Sequence, residues 1–279
     1  MSNYFQRGFK FNRFLLVRDL LGMTTTVTIL GSGTAIPIRG RAPAAVLWQG
    51  SEKTILLDIG PGTLLRLEEQ GVNYQTLSDI FLTHLHSDHT LDLVTLLQAN
   101  DCIPSPGRQV PLSLTGCKGT QSFFAQLMDV FPGIAPAKYP FRIIEKTAES
   151  WRDGQLQVRT ALTGHTPFSL AYRVESPDGI FVYTGDAVLT DSLINLCQNA
   201  DLLICDCSYP AGVQSPDHMN AIAVGQLAAS ANVKCLIPTH FYPQALDSNI
   251  TAEIKRHYSG PILTATDGMK LRIPTGESA

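Results

Sequence analysis

Residues 83–90 read Thr-His-Leu-His-Ser-Asp-His-Thr. Four side chains that can bind a metal ion fall within six positions of this stretch, namely His84, His86, Asp88 and His89. The residues before it, 79–83, form a short apolar run that predicts a buried strand, and the residues after it have the apolar spacing of a helix. The stretch is therefore expected on a loop that leads from a strand into a helix.

The spacing of these side chains indicates two metal ions rather than one. On an extended backbone His84 and His86 point to the same side, because side-chain direction repeats every two residues. Asp88 and His89 enter the helix and turn toward a second point nearby. Neutral imidazoles suit zinc, and a neighbouring carboxylate adds the charge that a second divalent ion needs. Without metal, these buried polar groups would stay unpaired, so a metal site is favoured over solvated loop histidines.

The composition is typical of a soluble globular protein that can bury a large core. The chain has 279 residues, of which 44% are hydrophobic and 16% are charged. Its net charge is −3, whereas proteins that bind nucleic acid usually have a basic balance. Residues 1–22 hold four basic side chains against Asp19, so the remainder is still more acidic. Any polyanion would have to be bound by a local patch.

The cysteines and the hydropathy pattern predict a cytoplasmic protein that does not enter a membrane. The six cysteines form no Cys-x-x-Cys pair, which favours buried or free thiols in a reducing compartment over disulfides or a sulfur metal site. No apolar run approaches the roughly 20 residues of a membrane helix. The N-terminus also lacks the hydrophobic core of a signal peptide.

The chain is expected to form one domain over residues 23–279, preceded by a basic, aromatic extension over residues 1–22. That extension is either an amphipathic arm or a poorly ordered segment, and we expect the second. Short strands and helices alternate along the rest of the chain. Their order fits an α+β fold in which two sheets pack face to face with helices outside. The two halves would meet near residues 132–138.

Three further candidate ligands each follow the end of an apolar, strand-like run. They are His165 in Thr-Gly-His-Thr, Asp186 in Tyr-Thr-Gly-Asp and His240 in Pro-Thr-His-Phe. With the first cluster they make seven candidate ligands, which exceeds what one tetrahedral zinc ion can use.

With these motifs, the chain resembles the metallo-β-lactamase superfamily from Thr25 onward. The resemblance implies a four-layer αββα sandwich with the site at one edge. It also implies that His84, His86 and His165 bind one metal. The same likeness assigns the second metal to Asp88, His89 and His240, with Asp186 as the bridge. Asp58, in Leu-Leu-Asp-Ile-Gly, matches an aspartate that supports the ligand loop. The implied cofactor is two divalent ions per chain, zinc in the first place, with manganese or iron as alternatives.

Within the superfamily the chain is most similar to ribonuclease Z and its phosphodiesterase relatives. The likeness rests on Leu-Gly-Ser-Gly-Thr-Ala-Ile-Pro at residues 30–37, on Asp-Ile-Gly-Pro-Gly-Thr at residues 58–63, and on His218, which lies 22 residues before His240. His218 matches that family's proton donor. Asp206, in Cys-Asp-Cys-Ser, stands where ribonuclease Z has the longer glutamate that orients this histidine. The expected catalytic residues are thus Asp88, His218 and Asp206.

One departure from ribonuclease Z bears on the substrate. Ribonuclease Z inserts a long tRNA-gripping arm between the strands that match residues 169–175 and 180–184, whereas here a Ser-Pro-Asp-Gly turn is expected to connect them. Binding of a polyanion depends on neutralising its phosphates, and the acidic balance after residue 22 opposes it. Nucleic acid is therefore not favoured as a substrate, although it stays open.

The resemblance implies hydrolysis by a hydroxide that bridges two metal ions. We predict a metal-dependent hydrolase, namely a phosphodiesterase resembling ribonuclease Z without its arm, which acts on a small or nucleotide phosphodiester. The alternatives are an arylsulfatase, lactonase or thioesterase, a tRNA 3′-processing endoribonuclease, or a metal-bound module without activity. A homodimer is compatible with the sequence.

Overall fold

The computed structural model describes residues 25–273. The expectation for residues 1–22 lies outside the described residues. Among residues 25–273, no helix is both long enough and apolar enough to cross a bilayer. All six cysteines lie in the described part and none is in a disulfide, as the sequence predicts.

The first sheet has seven strands, in the order β13-β1-β2-β3-β4-β5-β6. Their bounds are β1 (Thr26–Gly31), β2 (Ala45–Gln49), β3 (Thr54–Leu57), β4 (Asp79–Phe81), β5 (Leu112–Cys117), β6 (Phe141–Lys146) and β13 (Lys270–Arg272). Strands β1 to β3 are antiparallel neighbours, whereas β3 to β6 run parallel.

The second sheet has six strands, in the order β12-β11-β10-β9-β8-β7. Their bounds are β7 (Ser150–Asp153), β8 (Leu156–Leu162), β9 (Leu170–Ser176), β10 (Gly179–Tyr183), β11 (Leu202–Asp206) and β12 (Leu236–Thr239). Strands β10, β11 and β12 run parallel. Strands β9 and β10 form a tight hairpin in which Gly179 pairs with Ser176, so the predicted turn between them is confirmed.

Helices connect the strands, and the longer of them pack on the outer faces of the two sheets. They are α1 (Thr63–Glu69), α2 (Ser87–Thr90), α3 (Asp92–Cys102), α4 (Thr120–Val130), α5 (Asp191–Cys197), α6 (Ala221–Ser230), α7 (Pro243–Leu246) and α8 (Ile250–Ile254), with a 3-10 turn at Tyr74–Thr76.

The alternation of side chains along the strands of the first sheet directs them into two different layers of the core. In β2, Val46 and Trp48 point to the layer between the sheets, and Leu47 points to the layer under the helices of the first sheet. This period of two is what a strand buried on both faces requires. From the second sheet, Tyr172 and Phe181 enter the layer between the sheets. The predicted α+β sandwich with helices outside is therefore confirmed.

The predicted junction between the halves at residues 132–138 is wrong. Strand β6, at Phe141–Lys146, still belongs to the first sheet, because it pairs in parallel with β5 over six residues. The chain crosses to the second sheet between Lys146 and Ser150. It returns at its end, where β13 pairs with β1.

Candidate metal centre

The parallel strands bring the predicted site residues to one edge of the sandwich. Side chains that follow parallel strands meet at the carboxyl edge of a sheet. In the first sheet Asp58 follows β3, and His84 lies shortly after β4. In the second sheet Asp186 follows β10 and His240 follows β12 directly, while His165 lies beyond the end of β8. Residues distant in sequence therefore converge where the two sheets meet.

The structure brings all seven predicted ligands together in two groups. Within each group the ligand atoms lie within 4.8 Å of one another. The first group contains His84, His86, His165 and Asp186, and the second contains Asp88, His89 and His240. Six of the chain's seven histidines are in this region, since His218 adjoins both groups. Short helix α2 carries Asp88 and His89, as the sequence predicts.

Asp186 lies between the two groups and directs one carboxylate oxygen toward each. Its Oδ2 is 3.7 Å from His84 Nε2 and 3.5 Å from His165 Nε2. Its Oδ1 is 3.3 Å from both His89 Nε2 and His240 Nε2. This arrangement is the one that a carboxylate bridging two cations needs.

The donor atoms fit divalent metal ions. Four buried atoms lack a hydrogen-bond partner among the described residues and face the same space, namely His84 Nε2, His89 Nε2, His240 Nε2 and Asp186 Oδ1. Each unpaired buried group costs about 1–3 kcal/mol, so four at one place need a common partner. Imidazole nitrogens and a carboxylate are the ligands that zinc and related ions prefer.

Hydrogen bonds at the other ring nitrogen orient the imidazoles. His89 Nδ1 donates to Asp58 Oδ2 over 2.7 Å. The Thr83 hydroxyl donates to Asp58 and so accepts from His84 Nδ1 over 3.0 Å. His165 Nδ1 donates to the backbone oxygen of Asp217 over 2.8 Å. In His84 and His89 the Nε2 lone pair is left for a metal, which is how outer hydrogen bonds fix a ligand's tautomer. His165 Nε2 lies 3.1 Å from His86 Nδ1, so these two nitrogens face each other within the first group.

Asp58 anchors the ligand loop, as the resemblance implies. Besides His89, it accepts from the backbone N–H of Thr83 over 2.8 Å and from the hydroxyl of Tyr183 over 2.9 Å. Asp58 and His240 both have positive φ, 57° and 60°. Such a backbone costs a non-glycine residue about 1–3 kcal/mol and persists where the surroundings enforce it, often at functional sites.

The electrostatics of the two groups favour a bound cation. Burial, with the neighbouring His89, lowers the pKa of His84 well below its usual value, which keeps the ring in its metal-binding form. Burial also lowers the pKa of His89, but the charges of Asp186 and Asp58 outweigh it and raise that pKa well above its usual value. An environment that attracts a proton to His89 Nε2 attracts a metal cation for the same reason.

His218 and Asp206 form a pair beside the ligands. His218 Nδ1 donates to Asp206 Oδ2 over 3.0 Å. The aspartate therefore reaches the ring although it is shorter than glutamate, and a parallel backbone bridge between Tyr209 and Asn220 ties the residues next to His218 to the end of β11. Burial lowers the pKa of His218, but the hydrogen bond and charge of Asp206 outweigh it and raise the pKa to about 9. The pair therefore favours a protonated imidazole.

Ser208 is one of the residues at this site that sequence reasoning missed. Its hydroxyl donates to Asp206 Oδ1 over 2.6 Å and accepts from His240 Nδ1 over 3.1 Å. It thereby joins the His218 pair to a candidate metal ligand. Its position two residues after Asp206 was visible in the sequence, but a serine there is equally compatible with an ordinary loop.

An open cleft of about 520 Å³ adjoins Asp88. The loop over residues 34–43 forms one wall, and Pro61 and Ser87 contribute to the other. Arg39 and Arg41 both line it. Arg41 is fixed by hydrogen bonds to Ser32 Oγ and the backbone oxygen of Ala265, whereas Arg39 is exposed. Its volume is in the range of small-molecule sites, and the two arginines offer positive charge to an anion.

Comparison with known proteins agrees with this architecture. Ribonuclease Z of Mycobacterium bovis (strain BCG / Pasteur 1173P2) is 31% identical over 241 residues, which cover 78% of this chain and 86% of that protein. The crystal structure of the metallo-beta-lactamase fold protein YhfI from Bacillus subtilis has a TM-score of 0.77 at 26% identity and covers 89% of this chain and 98% of that one.

Human tRNase Z, short form, has the same fold, with a TM-score of 0.70 at 23% identity over 89% of this chain and 99% of that one. Residues 38–240 match the description Metallo-beta-lactamase superfamily. This match includes every predicted ligand from His84 to His240 and extends over well more than half of the sequence. The chain belongs to the metallo-β-lactamase superfamily.

Proposed function

We propose that this chain is a dinuclear metal-dependent phosphodiesterase that acts on a small or nucleotide phosphodiester. The observation that carries the proposal is the contact between His218 and Asp206, 3.0 Å, directly beside the seven candidate ligands. A phosphodiester with an alkyl or ribose leaving group needs a proton donor at the leaving oxygen. Esters with a leaving group that is stable as an anion have no such need.

The residues have separate roles in this proposal. His84, His86 and His165 would hold one ion, and Asp88, His89 and His240 the other, with Asp186 between them. When bound, the ions supply a water of lowered pKa and neutralise the charge that develops on phosphorus. Asp58, Thr83 and Ser208 fix the orientation of the imidazole rings through hydrogen bonds to their Nδ1 atoms.

His218 is the proton donor in this proposal. Its Nδ1 is occupied by Asp206, so its Nε2 is the atom left to face the substrate. When water adds to phosphorus and releases a proton to solvent, the bond from phosphorus to the leaving oxygen breaks, and the proton on Nε2 passes to that oxygen. His218 then takes a proton back from solvent. Asp206 stabilises the charged imidazole before transfer and fixes the ring orientation.

A panel of substrates tests the proposal. Metal-replete protein should hydrolyse phosphodiesters faster than sulfate esters, lactones or thioesters of matched leaving group. Faster turnover of any of these other esters would overturn the phosphodiesterase assignment. It would not contradict the assignment of the metal centre. If protein with full metal content hydrolyses none of these substrates, the result would instead favour a metal-bound module without activity.

Two equivalents of metal per chain are the expected content of gently purified protein, because seven ligands exceed the four that one tetrahedral zinc ion uses. Elemental analysis should find close to two equivalents of zinc, manganese or iron. His165→Ala should lower the content. The matched control is His257→Ala, since His257 is the exposed histidine outside the site. A single equivalent that added metal cannot raise would contradict the dinuclear assignment.

Precursor tRNA is the second candidate substrate, because the Mycobacterium bovis relative is a ribonuclease Z. We expect it to be poor, since the tight β9–β10 hairpin has no arm inserted at the place where ribonuclease Z carries one, and remote binding energy is needed for efficient catalysis. The value of kcat/KM should be about tenfold or more below that for thymidine 5′-p-nitrophenyl phosphate. Efficient 3′ trimming at an ionic strength of about 0.15 M would contradict this expectation.

A further inference from the structure

Two tyrosines, Tyr209 and Tyr242, stack on each other next to His218. Their ring centroids are 5.1 Å apart and their planes differ by 24°. The centroid of the His218 ring is 6.2 Å from that of Tyr209 and 5.7 Å from that of Tyr242. Both tyrosines are half-buried, so part of each ring faces solvent at the edge of the site.

The backbone holds this pair firmly. Tyr209 follows β11, and its carbonyl oxygen accepts from the N–H of Ala221 over 3.0 Å. Tyr242 follows β12 and caps the start of α7, and its N–H donates to the carbonyl oxygen of Ser208 over 3.3 Å. Because neighbouring parallel strands carry the two rings, a ligand that stacks on them need not order the loop first.

The position of the pair relates it to the leaving group. Asp206 occupies Nδ1 of His218, so the proton to be donated is on Nε2, and the leaving oxygen must come to that atom. The group attached to the leaving oxygen then extends past the His218 ring. The two tyrosines lie next to that ring. Asp217 lies close to His165 and His218, so its negative charge disfavours a leaving group that carries further phosphates.

We propose that Tyr209 and Tyr242 form the subsite for the leaving alcohol and select a planar aromatic group, which stacks on their exposed ring surface. This inference rests on the proposed phosphodiesterase activity. Aromatic rings gain about 0.5–1.5 kcal/mol from such pairing beyond the area they bury. The aromatic group is either an aryl ring or a nucleobase, since both offer a flat π face.

Two diesters that differ only in planarity provide the test. Methyl benzyl phosphate and methyl cyclohexylmethyl phosphate both release a primary alkoxide that needs a proton, and their leaving groups have similar size. We expect kcat/KM to favour the benzyl compound by about threefold to tenfold and benzyl alcohol to exceed methanol among its products. Adenosine 5′-methyl phosphate distinguishes a nucleobase from a simple aryl ring as the group bound. A site for a nucleobase should give it a higher kcat/KM than the benzyl compound.

Substitutions then test whether the two tyrosines cause the preference for the benzyl diester. Tyr209→Leu and Tyr242→Leu should bring the ratio of the two diesters close to one, mainly through KM, whereas Tyr209→Phe should retain it. The control is Phe168→Leu, since Phe168 is an exposed aromatic residue on the loop of His165, whereas the rings paired with the two tyrosines are those of His218 and His240. Selectivity that survives both leucine variants, or that is lost in the control, would overturn the proposal.

A binding measurement separates this proposal from the proposed function. Calorimetry should give tighter binding of benzylphosphonate than of cyclohexylmethylphosphonate, and Tyr209→Leu should remove the difference. That result would support the aromatic subsite even if no diester were hydrolysed, an outcome that would overturn the phosphodiesterase. Equal affinities with normal hydrolysis of both diesters would overturn the subsite alone.

Discussion

Asp186→Ala is expected to remove one metal equivalent and to lower kcat/KM on any phosphodiester by more than about 10³-fold, because charge stabilisation by a metal ion contributes several kcal/mol. Asp186 alone among the seven ligands directs a separate oxygen to each group, with Oδ1 3.3 Å from His89 Nε2 and Oδ2 3.5 Å from His165 Nε2. Without it, two cations held at short range would lose the carboxylate that offsets their repulsion.

Elemental analysis and steady-state kinetics on the same preparation check this prediction. The control is Asp129→Ala, since Asp129 is exposed near the end of α4 and should keep both metals and normal turnover. Asp186→Asn keeps one oxygen and the size of the side chain. Its metal content and kcat/KM should therefore lie between those of Asp186→Ala and Asp129→Ala. Full metal content and normal kinetics in Asp186→Ala would mean that Asp186 is only a turn residue.

The candidate ligands could be predicted from the sequence because they lie on loops that follow short apolar runs. A buried strand that ends in His or Asp is a local signal, and a parallel sheet gathers such ends at one edge. The junction between the sheets carried no such signal. Strand β6 is half-exposed, with the burial pattern of an edge strand, and only its pairing with β5 assigns it to the first sheet.

The supporting hydrogen bonds were beyond sequence reasoning because they join distant residues. Tyr183 donates to Asp58 across 125 positions of the chain, and nothing around Tyr183 distinguishes it from an ordinary core tyrosine. Strand β13 was missed for a related reason. It has three residues, of which two are exposed, so it lacks any apolar pattern and exists only through its pairing with β1.

His218→Ala is expected to lower the rate by on the order of 10²–10⁴ for a diester with an alkyl or ribose leaving group. The same change should cost almost nothing when the leaving group is p-nitrophenolate, because that anion is stable without a proton. Metal content should stay at the level of the unaltered protein, since His218 is not among the seven ligands. Steady-state rates on a methyl alkyl phosphate and on methyl p-nitrophenyl phosphate, measured beside elemental analysis, check all three expectations.

Asp206→Ala should reproduce the loss on the alkyl diester more weakly, because His218 would keep its place but lose the hydrogen bond of 3.0 Å that orients it. It should also lower stability by about 1–3 kcal/mol, since the N–H of Ala187 and the hydroxyl of Ser208 would lose their acceptor. His218→Ala leaves those two donors paired, so thermal unfolding distinguishes the variants, and His257→Ala serves as the histidine control. Equal losses on both leaving groups would mean that His218 binds substrate or supports the fold. No loss on either would mean that His218 has no part in the reaction.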